Sequence, residues 1–300
     1  MTALAEAVRD ELARPAPAFA QSFAEALAAE TPDAAAVLFY GSVLRSGDRE
    51  GVLDFYVLTA SPPKRLVSRW LWPDVGYREW NDGEGRLRAK VAVMSLAQFA
   101  HAAGGQGLDT TIWTRFVQPS VLAWSRDAAA AAAVHSAAEQ AARTAARFAA
   151  ALGPRCAPPL DYWTALFRQT YAAEFRVEPG GREQAILAVD PDRYARRITQ
   201  AWTADGLAFD QAEGQLAPRP SDRAAVLRAW RRRRTFGRPL NIARLIKAAF
   251  TFEGAARYAV WKIERHTGVA LPLTPWTERH PVLAAPAMML KLWRARRGRP

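Results

Sequence analysis

Cysteine and long apolar runs are nearly absent from this chain of 300 residues. Cys156 is the only cysteine, so the sequence excludes an internal disulfide and a cysteine metal cluster. No stretch reaches about 18 uninterrupted apolar residues, which predicts no transmembrane helix. The first residues, MTALAEAVRDELARP, contain acids and lack a long apolar segment, so we expect no secretory signal. These absences predict a reducing, cytoplasmic compartment.

Acidic residues are also scarce, with 29 Asp and Glu against 41 Lys and Arg and a formal net charge of +12. A balance this basic predicts a polyanionic partner: a nucleic acid, an anionic membrane surface or a phosphate-rich substrate. The excess is steepest over residues 228–300, which contain 17 Lys and Arg and 3 acids, interleaved with tryptophans. Half of the chain, 50%, is hydrophobic, which is enough for a core in one large or two smaller domains.

The apolar patterns predict an α+β protein in which strands come first and helices follow. Turn-forming and helix-ending residues separate these segments. The predicted helices cover residues 2–30 (with a break near Pro15 and Pro17), 127–152, 162–175 and 192–202. The predicted strands cover 35–40, 52–59 and 87–94, and residues 203–222 are interpreted as a linker.

The segment over residues 39–58 reads FYGSVLRSGDREGVLDFYVL, in which a strand ends at Gly-Ser and the next strand contains Asp54. Nucleotidyltransferases of the polymerase-β type use this layout. Gly41 lets the backbone approach a phosphate, and Ser42 can hydrogen-bond a triphosphate. Asp54 can bind Mg²⁺, which stabilises the oxygens of an in-line displacement. The second acid usual in that group is replaced by Tyr56, and a lone strand aspartate can also be purely structural.

Further segments occur in the same order as in one known family. They are Tyr40-Gly41-Ser42 with Arg45, Leu53-Asp54-Phe55, and residues 90–95 (KVAVMS), 115–119 (RFVQP), 171–176 (YAAEFR) and 239–251 (PLNIARLIKAAFT). On these segments the chain resembles the mitochondrial-type phosphatidate cytidylyltransferases. These are peripheral CDP-diacylglycerol synthases, also described as translocator assembly and maintenance proteins. The missing second acid on the strand is also a trait of that family.

The resemblance implies an α+β chain with a polymerase-β-like nucleotidyltransferase domain over residues 1–125. A helical, winged-helix-like domain over 126–222 and a basic, helical, membrane-contacting segment over 223–300 would follow. The implied enzyme transfers CMP from CTP to phosphatidic acid, with Mg²⁺ as cofactor, in phospholipid and cardiolipin biosynthesis. We therefore expect a peripheral protein on the inner face of the cytoplasmic membrane, with no nucleic acid partner.

The resemblance also implies roles for individual residues. Asp54, Glu174 and Lys90 are the candidate catalytic residues, and Asp54 and Glu174 are the candidate metal ligands. The candidate nucleotide-binding residues are Tyr40, Gly41, Ser42, Arg45 and Arg115. The candidate lipid- or phosphate-binding residues are Arg176, Arg244 and Lys247. For the charged residues outside the motif, an ordinary surface salt bridge is the competing interpretation.

Two other functions are compatible with the sequence. The same chemistry can act on another phosphorylated substrate, or the fold can serve a nucleic-acid-binding protein through its basic and tryptophan residues. The segment over residues 286–297 (PAMMLKLWRARR) can form an interfacial helix on a membrane. It can equally pack on the protein's own core.

Overall fold

The computed structural model describes residues 1–173, 182–251, 254, 256–258, 260, 261, 263 and 273–279. Its helices are α1 (Ala3–Leu12), α2 (Ala18–Glu30), α3 (Ser42–Ser46), α4 (Leu66–Trp70), α5 (Leu96–Ala103), α6 (Thr111–Phe116), α7 (Ala128–Leu152), α8 (Pro159–Ala173), α9 (Arg182–Leu187), α10 (Pro191–Ala204), α11 (Arg223–Thr251) and α12 (Pro275–Arg279). Its strands are β1 (Ala34–Tyr40), β2 (Val52–Thr59), β3 (Asp74–Asn81), β4 (Arg86–Ser95), β5 (Ser120–Ser125), β6 (Ala208–Ala212) and β7 (Gln215–Arg219).

Within the described residues, five strands form one mixed sheet in the order β3-β4-β2-β1-β5. Strand β2 runs parallel to β4, and the other neighbouring pairs are antiparallel. The predicted α+β class is therefore confirmed, as are the strands around residues 35–40, 52–59 and 87–94.

Alternation along β2 separates two apolar layers, because successive strand side chains point to opposite faces. Phe55 and Val57 lie in one layer with Phe23 of α2. Tyr56 and Leu58 lie in the other layer, which contains residues of α5, α6 and α7. Asp54 is two residues from Tyr56 on the same strand, so it lies on the face of the sheet that these helices cover.

Helix α7 is the centre of the helical half. Asp127 begins it by accepting a hydrogen bond from the Ala130 amide at 2.7 Å, and Gly153 ends it, as its sequence predicts. Its alanine-rich surface lets large side chains approach closely. The Trp202 indole donates a 2.9 Å hydrogen bond to the Ala146 carbonyl, and Trp113 stacks on Phe148 at 5.2 Å between ring centroids.

The interpretation of residues 203–222 as a linker is wrong, because strands β6 and β7 form a hairpin there. Its turn contains Glu213 and Gly214, both with positive φ, which is the conformation of tight hairpin turns. An isolated antiparallel bridge between Ala157 and Leu216 connects the hairpin to the start of α8.

Helix α1 packs on the helical half through a buried ion-pair network. Glu11 accepts hydrogen bonds from Arg193, at 2.5 and 2.8 Å, and from Arg197 at 2.9 Å. All three side chains are nearly inaccessible to solvent. Burial, followed by the positive charge of Arg193, lowers the pKa of Arg197 to about 10. The network ties the first helix to α10, so the predicted domains 1–125 and 126–222 share one continuous core.

No helix in the described part of the chain combines the length and hydropathy needed to cross a bilayer. The segment over residues 286–297 lies outside the described residues.

We expect Glu11→Ala to lower the free energy of unfolding by about 3–5 kcal/mol, because two buried guanidinium groups would lose their partner carboxylate. Urea denaturation measures this loss. Asp10→Ala, at an exposed position of the same helix, serves as the control and should change stability by less than about 0.5 kcal/mol. Equal stability of the two variants would contradict the network's role.

Candidate active site at the Gly-Ser turn

The Gly-Ser turn lies directly against the Asp54 carboxylate. Strand β1 ends at Tyr40, which is paired in register with Asp54 of β2. Gly41 follows with a φ of 96°, and α3 begins at Ser42. A Cβ added to Gly41 would lie 3.1 Å from the Asp54 Cβ and would overlap its Oδ2. Glycine is therefore required at position 41 by both its backbone conformation and the adjacent carboxylate.

A row of polar side chains crosses the sheet beside this turn. Lys90 of β4 is paired in register with Asp54, and Tyr77 of β3 is paired with Lys90. Paired residues of neighbouring strands project from the same face of a sheet. Lys90 is exposed and Asp54 is partly exposed, so a solvent-accessible cation lies next to the carboxylate. These two candidate catalytic residues are brought together.

Arg115 of α6 approaches the same face of the sheet from the covering helical layer. Its Nη1 donates a 2.9 Å hydrogen bond to the hydroxyl of Tyr56, and its guanidinium lies 5.8 Å from the centre of the Tyr40 ring. Tyr56 is fully buried, and burial raises the pKa of its hydroxyl, so the group stays neutral as it accepts this bond. Tyr40 and Tyr56 thus orient Arg115 beside the strand that contains Asp54.

Two aromatic residues that follow α11 in the sequence lie beside this row of polar side chains, at its β3 end. The ring of Tyr258 packs on Tyr77 at 5.4 Å between centroids, and Trp261 lies 5.3 Å from the Arg88 guanidinium. Burial raises the pKa of Tyr258, and the negative charge of Asp54 raises it further. Tyr258 is therefore close enough to Asp54 to be influenced by its charge.

The remaining residues of the Gly-Ser motif occupy different surroundings. Ser42 is exposed at the first position of α3. Arg45 lies one turn later, near enough to Tyr194 of α10 for its charge to act on that hydroxyl. Burial raises the pKa of Tyr194 to about 12, and the positive charges of Arg193 and Arg45 act in the opposite direction. Arg45 therefore lies where the sheet and the helical half meet, while Ser42 remains open to solvent.

Arg244 and Lys247 lie on the inner face of α11, where protein groups engage them. Arg244 forms an ion pair with the buried carboxylate of Asp109, and its guanidinium lies 4.6 Å from the centre of the Trp72 ring. Lys247 donates to the carbonyls of Leu71, at 2.6 Å, and Pro73, at 3.1 Å. Lys247 also forms an ion pair with Asp74.

Arg244 and Lys247, predicted from the resemblance to bind lipid or phosphate, dock α11 on the sheet in this structure. Glu174 and Arg176, the other residues predicted from the resemblance, lie outside the described residues.

The carboxylate of Asp54 beside the turn is a ligand of the kind that Mg²⁺ uses when it arrives with a phosphate. Among the described residues, no group of three or more His, Cys, Asp or Glu side chains could bind a metal ion by itself. Mg²⁺ usually keeps several waters and uses one or two protein carboxylates together with substrate phosphates. Asp54, partly exposed and packed against a glycine, is suitable as one such ligand.

Sequence reasoning missed three contributors to this site: Tyr56, Tyr77 and Tyr258. Tyr56 was interpreted only as the absence of a second acid, although its alternation with Asp54 on β2 already placed it on the same face. Tyr77 had no local signal because strand β3 was not predicted, and Tyr258 had none because it lies 181 residues after the Tyr77 ring that it contacts.

Searches against models of known families and against curated proteins find no match for this chain.

We expect Gly41→Ala to destabilise the protein more than Gly47→Ala, by about 1–3 kcal/mol. Gly41 (φ 96°, ψ −160°) lies in a backbone region that essentially only glycine occupies, whereas Gly47 (φ 69°, ψ 6°) is left-handed helical, so backbone strain adds to the expected difference. Only position 41 faces the Asp54 carboxylate, whereas a Cβ at position 47 would meet nothing within 4 Å. Urea denaturation of both variants measures the difference, and equal losses would show that Gly41 does not contact Asp54 closely.

Proposed function

We propose that this chain is a nucleotidyltransferase that transfers CMP from CTP to phosphatidic acid, giving CDP-diacylglycerol and pyrophosphate. The single observation that carries the proposal is the packing of the Gly41-Ser42 turn against Asp54, with Lys90 and Arg115 on the same face of the sheet. This arrangement provides one carboxylate for a metal and two cations for phosphate oxygens.

The fold supports a nucleotidyltransferase domain of the polymerase-β type. The layout of that type has a strand that ends in Gly-Ser, followed by a strand that contains the acid. Strands β1 and β2 follow this layout as an antiparallel pair, and β4 runs parallel to β2 in the same sheet. For the helical half we propose a winged-helix-like arrangement, in which the β6–β7 hairpin after α10 is the wing. The bridge between Ala157 and Leu216 would supply the edge of its small sheet.

The reaction would be an in-line displacement at the α-phosphorus of CTP. A phosphate oxygen of phosphatidic acid forms the new P–O bond, and the bond from the α-phosphorus to the oxygen bridging the α- and β-phosphates breaks. Pyrophosphate leaves with that bonding pair. Little covalent chemistry falls to the protein, so its residues act by positioning the reactants and neutralising charge.

Each side chain then has a distinct task. The absence of a side chain at Gly41 lets phosphate oxygens approach the backbone beside Ser42. Lys90 offers an exposed point charge next to Asp54. Arg115 offers a planar guanidinium whose orientation is set by Tyr56 and Tyr40, and planar guanidinium groups suit bidentate phosphate contact.

Asp54 would hold the magnesium ion, which when bound supplies positive charge to the triphosphate oxygens. The identity of the nucleotide and of the lipid acceptor rests on the family resemblance and on the net charge of +12. In the proposed function the roles of Glu174 and Arg176 remain predictions. Arg244 and Lys247 are assigned to the docking of α11, because protein carboxylates and carbonyls already engage them.

We expect Asp54→Asn to reduce turnover by at least about a hundredfold without loss of the fold, since the amide keeps the shape but loses the metal-binding charge. The assay combines purified protein, CTP, Mg²⁺ and phosphatidic acid vesicles, with CDP-diacylglycerol measured by lipid analysis. Asp192→Asn, at an exposed position of α10, is the control and should keep parental activity. Undiminished turnover by Asp54→Asn would remove Asp54 from the site.

We expect Arg115→Lys to lower kcat/KM for CTP by about tenfold or more, because lysine keeps the charge but not the planar fork. Arg126→Lys, at an exposed position after β5, should leave kcat/KM unchanged. Steady-state kinetics at saturating phosphatidic acid give both values. Equal kcat/KM for the two variants would show that the Arg115 guanidinium does not contact the nucleotide.

A further inference from the structure

Two segments of this protein have their polarity reversed, with polar groups facing inward and apolar side chains facing solvent. Helix α4 is anchored by Ser68, whose hydroxyl donates to Asp74 at 2.7 Å, and by the Gln98 side chain, which donates to two α4 carbonyls at 3.2 Å. Its apolar residues Leu66, Val67 and Trp70 point outward, and the Trp70 side chain is 80% exposed.

The second half of α11 shows the same reversal. Its inward side chains are the cations Arg244 and Lys247, and the Lys247 side chain is only 5% exposed. Its outward residues are Ile242, Leu245 and Ile246, with Leu245 55% and Ile246 57% exposed. Positions i, i+3 and i+4 share one face of a helix, so these three side chains form a single apolar stripe.

The two segments that contain these apolar side chains are neighbours in space. Leu71, which follows Trp70, accepts a 2.6 Å hydrogen bond from Lys247, which follows Ile246. The Arg244 guanidinium also covers the ring of Trp72 at 4.6 Å. These contacts of Arg244 and Lys247 therefore hold the turn after α4 beside the second half of α11.

We propose that the outward faces of α4 and of the second half of α11 form a docking surface for an anionic lipid bilayer. The docking surface consists of Leu66, Val67, Trp70, Ile242, Leu245 and Ile246. Large exposed apolar patches on a soluble domain mark interaction sites, and tryptophan with aliphatic side chains is suited to the headgroup and acyl boundary of a membrane. This inference rests on the proposed function in one respect only, namely that the membrane would contain the lipid substrate.

The charges around the docking surface favour a membrane as the occupant. Lys64, Arg65 and Arg69 are exposed on and beside α4. Arg231 and Arg234 are exposed on α11, eleven residues before Ile242 and Leu245 respectively, which places them on the same helix face. Basic residues beside an apolar surface are attracted to the anionic headgroups of a bilayer.

The same features disfavour the other occupants. The cores of protein–protein interfaces contain few charges, whereas lysines and arginines here are interspersed with the apolar residues. Nucleic acids bind through stacking on aromatic rings, and five of the six residues of the docking surface are aliphatic. An anionic bilayer uses both the aliphatic side chains and the surrounding cations.

Vesicle co-sedimentation of the full chain, without CTP or Mg²⁺, tests the proposal. The probe is vesicles of phosphatidylcholine and phosphatidylglycerol in equal parts, compared with vesicles of phosphatidylcholine alone. We expect the parent to prefer the anionic vesicles and to lose part of its binding at high salt. The double variant W70S/I246S should bind the anionic vesicles at least about tenfold more weakly. The double variant R65Q/R69Q should lose most of the preference for anionic vesicles.

Val189→Ser, at a half-exposed apolar position between α9 and α10, is the control and should bind like the parent. Thermal unfolding of every variant checks the fold, since all the changed residues are exposed. Four outcomes would overturn the proposal. They are no vesicle binding by the parent, parental vesicle binding by W70S/I246S, a parent dimer that W70S/I246S converts to monomer, and loss of RNA binding by W70S/I246S in a gel shift with unchanged vesicle binding.

The assay also separates this proposal from the proposed function. Vesicle binding is measured without CTP, so it tests the docking surface even if the protein does not turn over CTP. If turnover occurs, W70S/I246S should retain parental activity on water-soluble dibutyryl phosphatidic acid while losing activity on vesicles. Equal loss on both substrates would contradict a role confined to the membrane.

Discussion

The contact between Gly41 and Asp54 is the constraint on which the site depends. Antiparallel pairing of β1 and β2 places the end of one strand beside the carboxylate of the other. The glycine leaves no side chain between the backbone turn and the carboxylate. Every other proposed contributor is defined relative to this contact, since Lys90 is next in register and Arg115 is held above it by Tyr56. A larger residue at position 41 would displace the carboxylate from this arrangement.

The sheet and the helical half contribute differently to the site. The sheet supplies Asp54 and Lys90 from paired strands, whose geometry is fixed by backbone hydrogen bonds. The helices supply the covering residues: Arg115 from α6 and Tyr194, near Arg45, from α10. Because α7 and α10 share a core with one face of the sheet, the covering helices cannot shift freely against the strands. A preorganised arrangement of this kind suits chemistry that depends on positioning.

Much of the fold could be predicted from the sequence, because β1, β2, β4 and α7 have strong local patterns and clear end signals. Strand β3 was missed because its sequence, DVGYREWN, mixes charges and glycine with apolar residues, as an outer strand of a sheet can. The β6–β7 hairpin was missed because its glycine and prolines suggested a linker, although proline is tolerated at sheet edges. The inward direction of Arg244 and Lys247 could not be predicted, since it depends on Asp109 and Asp74, which are distant in sequence.

The Glu11 network has a consequence for the order in which the chain can fold during synthesis. Glu11 emerges from the ribosome before Arg193, which follows 182 residues later. At usual rates of synthesis this gap lasts on the order of ten seconds. During that time α1 has neither its ionic partners nor the α10 surface on which it packs. Helix α1 can pack on β5 and α7 once these are made, but its contact with α10 is completed only after Arg193 and Arg197 have followed.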